Sequence, residues 1–455
     1  WPYTEGETTP PAVKVKANQS ARKDFEGSDL IVADGQTVTY GSPTLRFTHR
    51  TARVTIVLTD YTEGLASVQL TGLSTEGGNP AEIIPYDKGS NTYTALVAPQ
   101  SVAAGTAFIT CTFTNGKTFV YKMKNATDWQ AGGEYTYTVS LAAAKDPGYT
   151  IEGNGSYTVT SADGLMNVAE LVNGGKTDIN ITLDKNIDLT GKDWTPIGTS
   201  FDNSYTGTFD GGGHTITGLT ITTKDQFVGL FGYLNRAGTV KNVVMEGVQI
   251  TSNQIYGGSI GGVVGYSWGT IENCSVSGSV SGTVYVGGVV GVQIGGSITG
   301  CSSSATVKGT VDVGGVAGQT SFGATLTACY ATGNVTLEID SPKNLSGGGL
   351  EGCNGGSSVL ACYATGNVTS TGSSTGNVHI GGFLGDNYTT VTACYWKNNH
   401  EQGIGYNKKS TGATKVDGTD VTWQKAVDAM NTALQNAGSE WRYELNGALP
   451  TLRKL

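Results

Sequence analysis

The sequence is poor in charged side chains, and cationic ones are the scarcer. Asp, Glu, Lys and Arg make up 14% of the 455 residues, and 28 Lys and Arg face 37 Asp and Glu, so the formal net charge is −9. An ordinary globular protein carries roughly 25% charged residues. Nucleic acids and anionic membrane surfaces are bound by clustered Lys and Arg. The deficit therefore argues against both as partners.

Features of several other protein classes are absent too. No run of about 18 apolar residues occurs, so the sequence predicts no transmembrane helix. The four histidines, His49, His214, His379 and His400, share no metal-ligand spacing, and the seven cysteines contain no C-x-x-C pair. We therefore expect no metal and no cofactor. The chain starts at Trp1 rather than methionine, so we expect a processed or truncated protein whose export signal is absent from this chain.

What the sequence has in excess is glycine, with 68 residues, and a segment between Gln226 and Asn399 repeats itself. Each copy has a glycine pair, two further residues and a third glycine, then an apolar residue three positions before a cysteine. The copies begin at Gly261, Gly287, Gly314, Gly348 and Gly381, after a degenerate copy, Gly229–Gly232, with Val243 for the cysteine. Successive cysteine-equivalent positions lie 31, 27, 28, 33 and 32 residues apart. This period predicts stacked units that bury their apolar faces against one another.

Residues after each cysteine alternate, as from Cys329 to Val335, which predicts a β-strand whose cysteine faces inward. We expect a structural core column made of Cys274, Cys301, Cys329, Cys362 and Cys394. Coils stack about 4.8 Å apart, so cysteines on neighbouring coils lie close to the distance that a disulfide bridges. The favoured interpretation is a column of free thiols that pack as small hydrophobic groups. The three-residue offset before each cysteine requires a bend. The glycine pairs are expected to form another corner, by positive φ or close backbone approach.

These repeats resemble the GLUG motif, named for its Gly-Leu-any-Gly core, over residues 226–399. The resemblance implies a bacterial surface or secreted protein linked to adhesion, with no established chemistry. One copy departs from the others, because Glu351 stands where they have Val264, Val290, Ala317 and Leu384. Either this position is less buried than its counterparts, or its coil is locally distorted.

The region before the repeats is predicted to be a β-sandwich. About seven short strands with Gly and Pro turns are expected between Asp29 and Leu141. The clearest hairpin joins Phe108–Phe113 to Thr118–Tyr121 through a turn at Thr114–Lys117 that contains Asn-Gly.

Three phrases in this region resemble a fimbrillin-type domain: Leu45–Leu58, Tyr93–Gln100 and Gly133–Val139. The resemblance implies a transthyretin-like sandwich used in fimbrial subunits or their accessory proteins. Some members of that family polymerise by adding a strand from a neighbour. The sequence identifies neither a cleavage point nor a donor strand for such a step. With the repeats, the chain resembles Bacteroides-type cell-adhesion surface proteins.

The predicted fold class is therefore all-β, with an N-terminal transthyretin-like β-sandwich followed by a β-solenoid of GLUG-type repeats with short helical caps. The predicted segments are a flexible lead-in at 1–28, the sandwich at 29–144, a linker at 145–157, the N-terminal cap and first solenoid strands at 158–225, the repeat solenoid at 226–400 and a C-terminal cap with one helix at 401–455. Ser161 is predicted to cap a helix at Ala162–Asn173, and Val421–Asn436 has helical spacing.

A column of tyrosines is the candidate binding site. Tyr330, Tyr363 and Tyr395 each follow a column cysteine, so we expect them to face outward on adjacent coils, with Thr332 and Thr365 beside the first two. Aromatic faces flanked by hydroxyl groups suit a sugar or a partner protein. The alternative is an aromatic ladder that stabilises stacking of the coils.

Motif-like strings elsewhere have simpler explanations than catalysis. Gly265–Gly269 fits G-x-S-x-G, but it lies in a coil loop and not in a strand-to-helix turn. Asp210 and His214 flank three glycines, which a tight turn explains better than a metal or acid–base pair. A second aromatic set is expected at loop tips, where corner packing explains it equally well: Trp268, Phe322 and Tyr388.

The sequence thus predicts a non-enzymatic cell-surface adhesin or fimbria-associated binding protein, exported to the cell surface, outer membrane or medium. Its expected partners are a host or matrix protein or glycan, with other fimbrial subunits as further candidates. Two alternatives stay open. A polysaccharide-processing β-helix enzyme would be supported by acidic residues gathered around Asp210 and Asp193 with calcium, and a purely structural fimbrial subunit would bind no soluble ligand.

Overall fold

The computed structural model describes residues 11–33, 35–41, 43–114, 117–144, 146–254, 257–339, 344–409 and 412–455. The chain divides into two compact units, Trp1–Asp146 and Pro147–Leu455. Strands dominate, helices account for 9%, and a β-sandwich region precedes a β-solenoid of about 7 turns. The predicted all-β fold class is confirmed.

The first unit packs small sheets around one apolar core. Alternate residues of Ala52–Thr59 are buried, because one face of a sheet must cover the other sheet. A four-stranded sheet has the order Glu134–Ser140, Ala52–Thr59, Thr92–Val97 and Tyr86–Gly89. A three-stranded sheet contains Leu65–Leu70, Ala107–Phe113 and Thr118–Lys122, and two strand pairs join Ile31–Val32 to Thr48–His49 and Gln100–Val102 to Thr127–Trp129. Single 3-10 turns lie at Glu76–Gly78 and Ala142–Ala144.

The predicted hairpin is confirmed by the antiparallel pairing of Ala107–Phe113 with Thr118–Lys122. The middle of its predicted turn, residues 115 and 116, lies outside the described residues.

Two boundaries predicted from composition are wrong. Residues 1–10 of the predicted lead-in lie outside the described residues, but residues 11–28 pack on the sandwich. Helix α1 spans Arg22–Glu26, and the buried amide of Gln19 donates to the Leu96 carbonyl at 2.8 Å and accepts from the Leu96 N–H at 2.9 Å. Hydrogen bonds from polar side chains to the backbone hold this segment in place. Such bonds leave no apolar periodicity in the sequence. In the predicted linker, Tyr149–Ile151 already forms a strand, and Lys145 lies outside the described residues.

The solenoid has four sheets, S1 to S4, which the chain visits in that order in each repeat coil. S1 contains Phe227–Val228, Ser259–Gly261, Tyr285–Gly287, Asp312–Gly314, Leu345–Gly348 and Val378–Gly381. S2 contains Phe231–Leu234, Val264–Ser267, Val290–Ile294, Ala317–Ser321, Glu351–Asn354, Leu384–Asn387 and Ile404–Asn407. The S2 strand at Ile404–Asn407 extends the solenoid beyond the predicted end at residue 400.

The other two sheets begin before the repeats. S3 contains Tyr149–Ile151, Tyr157–Val159, Ile181–Leu183, Thr208–Asp210, Thr239–Lys241, Thr270–Glu272, Ser297–Thr299, Thr325–Thr327, Ser358–Leu360 and Val391–Thr392. S4 contains Ile187–Asp188, Thr215–Thr217, Thr220–Thr223, Val244–Ser252, Ser275–Ser281, Ser302–Ser303, Thr306–Gly309, Tyr330–Ala331, Val335–Glu338, Tyr363–Ala364, Val368–Thr371, Tyr395–Trp396 and Thr414–Lys415. Successive coils pair in parallel, as expected when a chain winds repeatedly in one direction.

Helix α2 spans Ala162–Asn173, as predicted, and connects the S3 strands Tyr157–Val159 and Ile181–Leu183. The Ser161 hydroxyl accepts from the Gly164 N–H at 3.1 Å, which satisfies one of the free donors of the first turn. Leu165 and Val168 are buried in the same apolar cluster as the coil interiors.

The bend predicted before each cysteine is confirmed, and its cause is a left-handed residue between S3 and S4. Positive φ occurs immediately before each cysteine or its valine equivalent: Asn242, Asn273, Gly300, Ala328, Ala361 and Ala393. The glycine pairs act differently. None has a positive φ among those recorded for the described residues, but a Cβ on Gly261 would lie 2.3 Å from the Val264 carbonyl oxygen. Close backbone approach, the second of the two expected causes, therefore requires these glycines.

All five column cysteines are buried and free. The N–H groups of Cys274, Cys329 and Cys362 approach the Sγ of the cysteine on the following coil, at 3.4, 3.3 and 3.4 Å. Each thiol also lies near the carbonyl two residues before it, as Cys274 Sγ does at 3.2 Å from the Glu272 oxygen. The thiols thus fill the interior beside the bend and bond to backbone there.

Glu351 fits neither explanation offered by the sequence. It pairs in register with Ala317 and Leu384, so its coil is not displaced, and it is 0% exposed. Burial raises the pKa of its carboxyl to about 8, so the neutral acid predominates at pH 7. The Thr320 hydroxyl donates to Oε1, while Oε2 has no partner among the described residues.

The C-terminal segment lies along the side of the coils rather than closing their end, which corrects its predicted role as a cap. It consists of helix α3, Trp423–Asn436, and the strand pair Trp441–Glu444 with Thr451–Lys454. The Tyr443 hydroxyl donates to the Ala361 carbonyl at 3.0 Å, and Lys454 pairs with Glu272, three coils earlier, at 2.7 Å.

None of the helices among the described residues is long and apolar enough to cross a membrane.

Candidate ligand-binding groove

The three tyrosines stack on adjacent coils of S4, because Tyr330 pairs with Tyr363 and Tyr363 with Tyr395. Their expected exposure is wrong for two of them, since Tyr363 is 1% and Tyr395 9% exposed. The C-terminal segment covers them. The Tyr363 hydroxyl donates to the Pro450 carbonyl at 2.6 Å, and its ring meets that of Trp423 at 5.2 Å. Binding through Tyr363 or Tyr395 would therefore require displacement of that segment.

Tyr330, which is half-buried, ends the ladder. One face of its ring lies against Tyr363, with centroids 4.9 Å apart and an interplanar angle of 2°. On the preceding coils the same register position is held by the small residues Ser302, Ser275 and Val244. The ladder therefore stops, and a groove of about 370 Å³ opens where further rings would stand. That volume is within the range of ligand pockets.

The groove has a hydroxyl-rich floor and one apolar wall. The floor comes from S4 strands and the residues directly after them. It includes Ser277, Ser304 and Thr332, each two residues after a ladder position. Leu449 and Pro450 form the wall on the C-terminal side. The full lining is Val244, Met245, Glu246, Ser275, Val276, Ser277, Ser302, Ser303, Ser304, Tyr330, Thr332, Tyr363, Leu449, Pro450 and Thr451. Thr365, the other predicted threonine, is half-buried and is not part of this lining.

The groove offers one open aromatic face, several hydroxyl groups and one carboxylate. Glu246 is exposed and is the only charged side chain in the lining. The groove is therefore suited to stacking and hydrogen bonding with a ligand.

A second polar cluster lies where S1 faces S2. His379 Nδ1 lies 2.6 Å from Asp386 Oδ1, and the Ser346 hydroxyl donates to Oδ2 of the same carboxylate at 3.0 Å. Asp312 pairs in register with Ser346, and burial raises the pKa of its carboxyl to about 7. The Tyr406 ring stacks on the histidine at 5.1 Å.

Neither the cluster nor most of the groove is among the predicted sites, although each had a periodic signal in the sequence. Asp312, Ser346 and His379 all stand two residues before the first glycine of a copy. Ser275 and Ser302 follow column cysteines, as the tyrosines do in later copies. The apolar wall had no such signal, because it comes from a distant part of the chain.

Ser267 and Asp210 of the motif-like strings each accept a hydrogen bond from the N–H two residues later. Ser267 of the G-x-S-x-G string is buried, and its hydroxyl accepts from the Gly269 N–H at 3.2 Å. Asp210 accepts from the Gly212 N–H at 2.9 Å and pairs with Lys241 at 3.2 Å, as a turn residue does. Asp193 lines a separate pocket beside α2. No group of three or more His, Cys, Asp or Glu side chains in the described ranges is placed to hold a metal ion.

The loop-tip aromatics have different environments. Phe322 is 82% exposed. Tyr388 is also exposed, with Lys408 Nζ 5.9 Å from its ring centroid, and Arg236 lies over Trp268 at 5.8 Å.

Fold and groove together define an all-β repeat protein, a β-sandwich followed by a β-solenoid with a lateral groove. Residues 1–160 match the model of the fimbrillin-like family. Residues 256–281 and 282–308 match the GLUG motif. Both resemblances noted in the sequence are confirmed, and the fimbrillin-like match supports a fimbria-related surface protein.

Individual relatives align with limited parts of the chain. Halomucin of Haloquadratum walsbyi is 38% identical over 120 residues, 24% of this chain and 1% of its own length. A "Putative Gly-rich membrane protein" of Evansella cellulosilytica is 33% identical over 129 residues, 26% of this chain and 14% of its own length. This chain thus spans only a small fraction of either relative.

A solved structure shares the fold. A Bacteroides ovatus protein described as "a putative immunoglobulin A1 protease" superposes with a TM-score of 0.50 at 20% identity. The superposition covers 66% of this chain and 93% of that protein. At this identity the likeness concerns the fold alone.

Proposed function

We propose that this protein is a non-catalytic adhesin or fimbria-associated binding protein, in which the solenoid groove at Tyr330 binds a glycan of a host or matrix surface. The observation that carries the proposal is the open ring face of Tyr330 at the end of the ladder, bordered by Ser302 and Thr332. Sugars present apolar C–H faces and peripheral hydroxyl groups, and aromatic rings flanked by hydroxyl groups complement both. The fimbrillin-like match of residues 1–160 supports placement at a surface.

The test is binding to an array of glycans and matrix glycoproteins by the whole chain and by Tyr330→Ala. The matched control is Tyr388→Ala, which removes an exposed tyrosine from a loop outside the groove. We expect Tyr330→Ala to weaken binding at least 10-fold and Tyr388→Ala to leave it unchanged. An array on which nothing binds, or equal effects of the two variants, would refute the proposal.

A second candidate is a structural fimbrial subunit without a soluble ligand. The match of the first 160 residues to the fimbrillin-like family favours it. Co-purification of this chain with other fimbrial subunits, together with a silent glycan array, would favour this alternative over the adhesin.

A further inference from the structure

The groove has a direction, which follows from the register of S4. Val244, Ser275, Ser302 and Tyr330 occupy one register position on successive coils. That row runs along the solenoid axis, and three coil steps of about 4.8 Å give it a length of about 14 Å. A ligand lying in the groove therefore runs along the axis, with one end against Tyr330 and the other near Val244 and Glu246.

The two ends differ chemically. At the Tyr330 end the ligand meets a ring face, and the Tyr363 ring behind it fixes that ring in place. At the other end it meets Glu246, the only charged residue of the lining. Between the ends, hydroxyl groups of Ser277, Ser304 and Thr332 border the row and carry no charge. An anionic ligand would meet the carboxylate without a cation to balance its own charge.

From this arrangement we infer that the groove binds a short linear glycan of amino sugars, with one sugar ring stacked on Tyr330 and a protonated amino group paired with Glu246. The inference depends on the proposed glycan binding and specifies its ligand class. Uronic acids and sulfated sugars are disfavoured by repulsion from Glu246. Neutral sugars keep the stacking but lose the ion pair. Because Glu246 is exposed, the pair contributes about 0.2–1 kcal/mol, which is up to about 5-fold in affinity.

Three trisaccharides of the same linkage and length test the ligand class by calorimetric titration: β-1,4-linked glucosamine, its glucose counterpart and its glucuronate counterpart. We expect the glucosamine trisaccharide to bind about 2- to 5-fold more tightly than the glucose one, and the glucuronate one to bind most weakly. Glu246→Gln should remove the first difference, so that the glucosamine and glucose trisaccharides bind this variant with equal affinity. Equal affinities for all three sugars, or a preference that survives Glu246→Gln, would overturn the inference.

The variant Ser302→Tyr distinguishes an error in the amino-sugar assignment from an error in the proposed glycan groove. A tyrosine at this position extends the ladder by one ring, fills the slot over Tyr330 and leaves the tyrosines themselves in place. We expect this variant to melt at or above the wild-type temperature and to lose binding to all three sugars. If it abolishes binding while sugar charge has no effect, the groove is the site and the amino-sugar assignment is wrong. If none of the three sugars binds the wild-type chain, the amino-sugar assignment is wrong and the glycan array decides the proposed function. If Ser302→Tyr binds sugars as the wild type does, the proposed glycan groove itself fails.

Discussion

The ring of Tyr330 lies parallel to that of Tyr363, 4.9 Å away, yet Tyr330 is half-buried whereas Tyr363 is 1% exposed. The spacing is that of two neighbouring coils, so the pair is set by backbone register. The same interaction therefore stabilises stacking of the coils and presents one ring face to the groove. The ladder and binding interpretations of the tyrosines are compatible, because they apply to different members of the column.

Replacement of Tyr363 should cost far more stability than replacement of Tyr330. Tyr363 contacts Trp423 and Tyr443 and donates to the Pro450 carbonyl, so Tyr363→Ala removes a buried aromatic side chain, at a cost of about 3–5 kcal/mol. Tyr363→Phe loses only the hydrogen bond, about 1 kcal/mol. Denaturant unfolding of the two variants and of Tyr330→Ala measures the order. A larger loss from Tyr330→Ala would contradict the burial of Tyr363.

Glu351 should make the protein less stable as pH rises. Its folded pKa of about 8 lies above the ordinary 4.5, so the folded state holds a proton that the unfolded state releases between these values. The free energy of unfolding therefore falls as pH rises from 4.5 to 8. Glu351→Leu, which copies Leu384 of the next coil, should reduce this slope and raise stability at pH 8 by about 1–3 kcal/mol.

Thermal unfolding of wild type and Glu351→Leu at pH 5 and pH 8 tests this expectation, with Glu351→Gln as a polar variant that does not titrate. Asp312, whose pKa is about 7, leaves a residual slope in both variants. An unchanged slope in Glu351→Leu would show that Glu351 does not titrate in this range.

The left-handed bend gives opposite predictions at two equivalent positions. Ala393 has a φ of 49°, a conformation that costs a non-glycine residue roughly 1–2 kcal/mol, so Ala393→Gly should stabilise the protein by about 1 kcal/mol. At the corresponding Gly300, an added Cβ would lie 2.4 Å from Trp441. Gly300→Ala should therefore destabilise the protein and loosen the C-terminal segment. Melting temperatures check both signs, and two variants that shift in the same direction would be inconsistent with this geometry.

The thiols should be unreactive until the protein unfolds. All seven cysteines are buried and unbridged, and burial raises the pKa of the Cys111 thiol to about 11. A thiol reagent should label essentially none of them in buffer at pH 8 and all of them in denaturant. Rapid labelling of any column cysteine in the native protein would contradict the interior column.

Local patterns were enough to predict the solenoid, because the alternation after Cys329 and the three-residue offset before it are properties of neighbouring residues. They did not predict which tyrosines are exposed. The Tyr443 hydroxyl bonds to the Ala361 carbonyl, 82 residues away in the chain. No periodic pattern in the sequence indicates which side of the coils the C-terminal segment covers. The contact of Gln19 was unpredictable for a similar reason. Its side-chain amide bonds to the backbone of Leu96 as a neighbouring strand would, and the residues around Gln19 show no apolar repeat.

A crystal structure of the protein soaked with the β-1,4-linked glucosamine trisaccharide would show directly whether the groove at Tyr330 holds the sugar. We predict a sugar ring parallel to the ring of Tyr330, above Ser302, with the chain running along the solenoid axis toward Glu246. A trisaccharide bound elsewhere, such as beside Tyr388 and Tyr406, with the groove filled by solvent alone, would contradict binding of glycans in the groove.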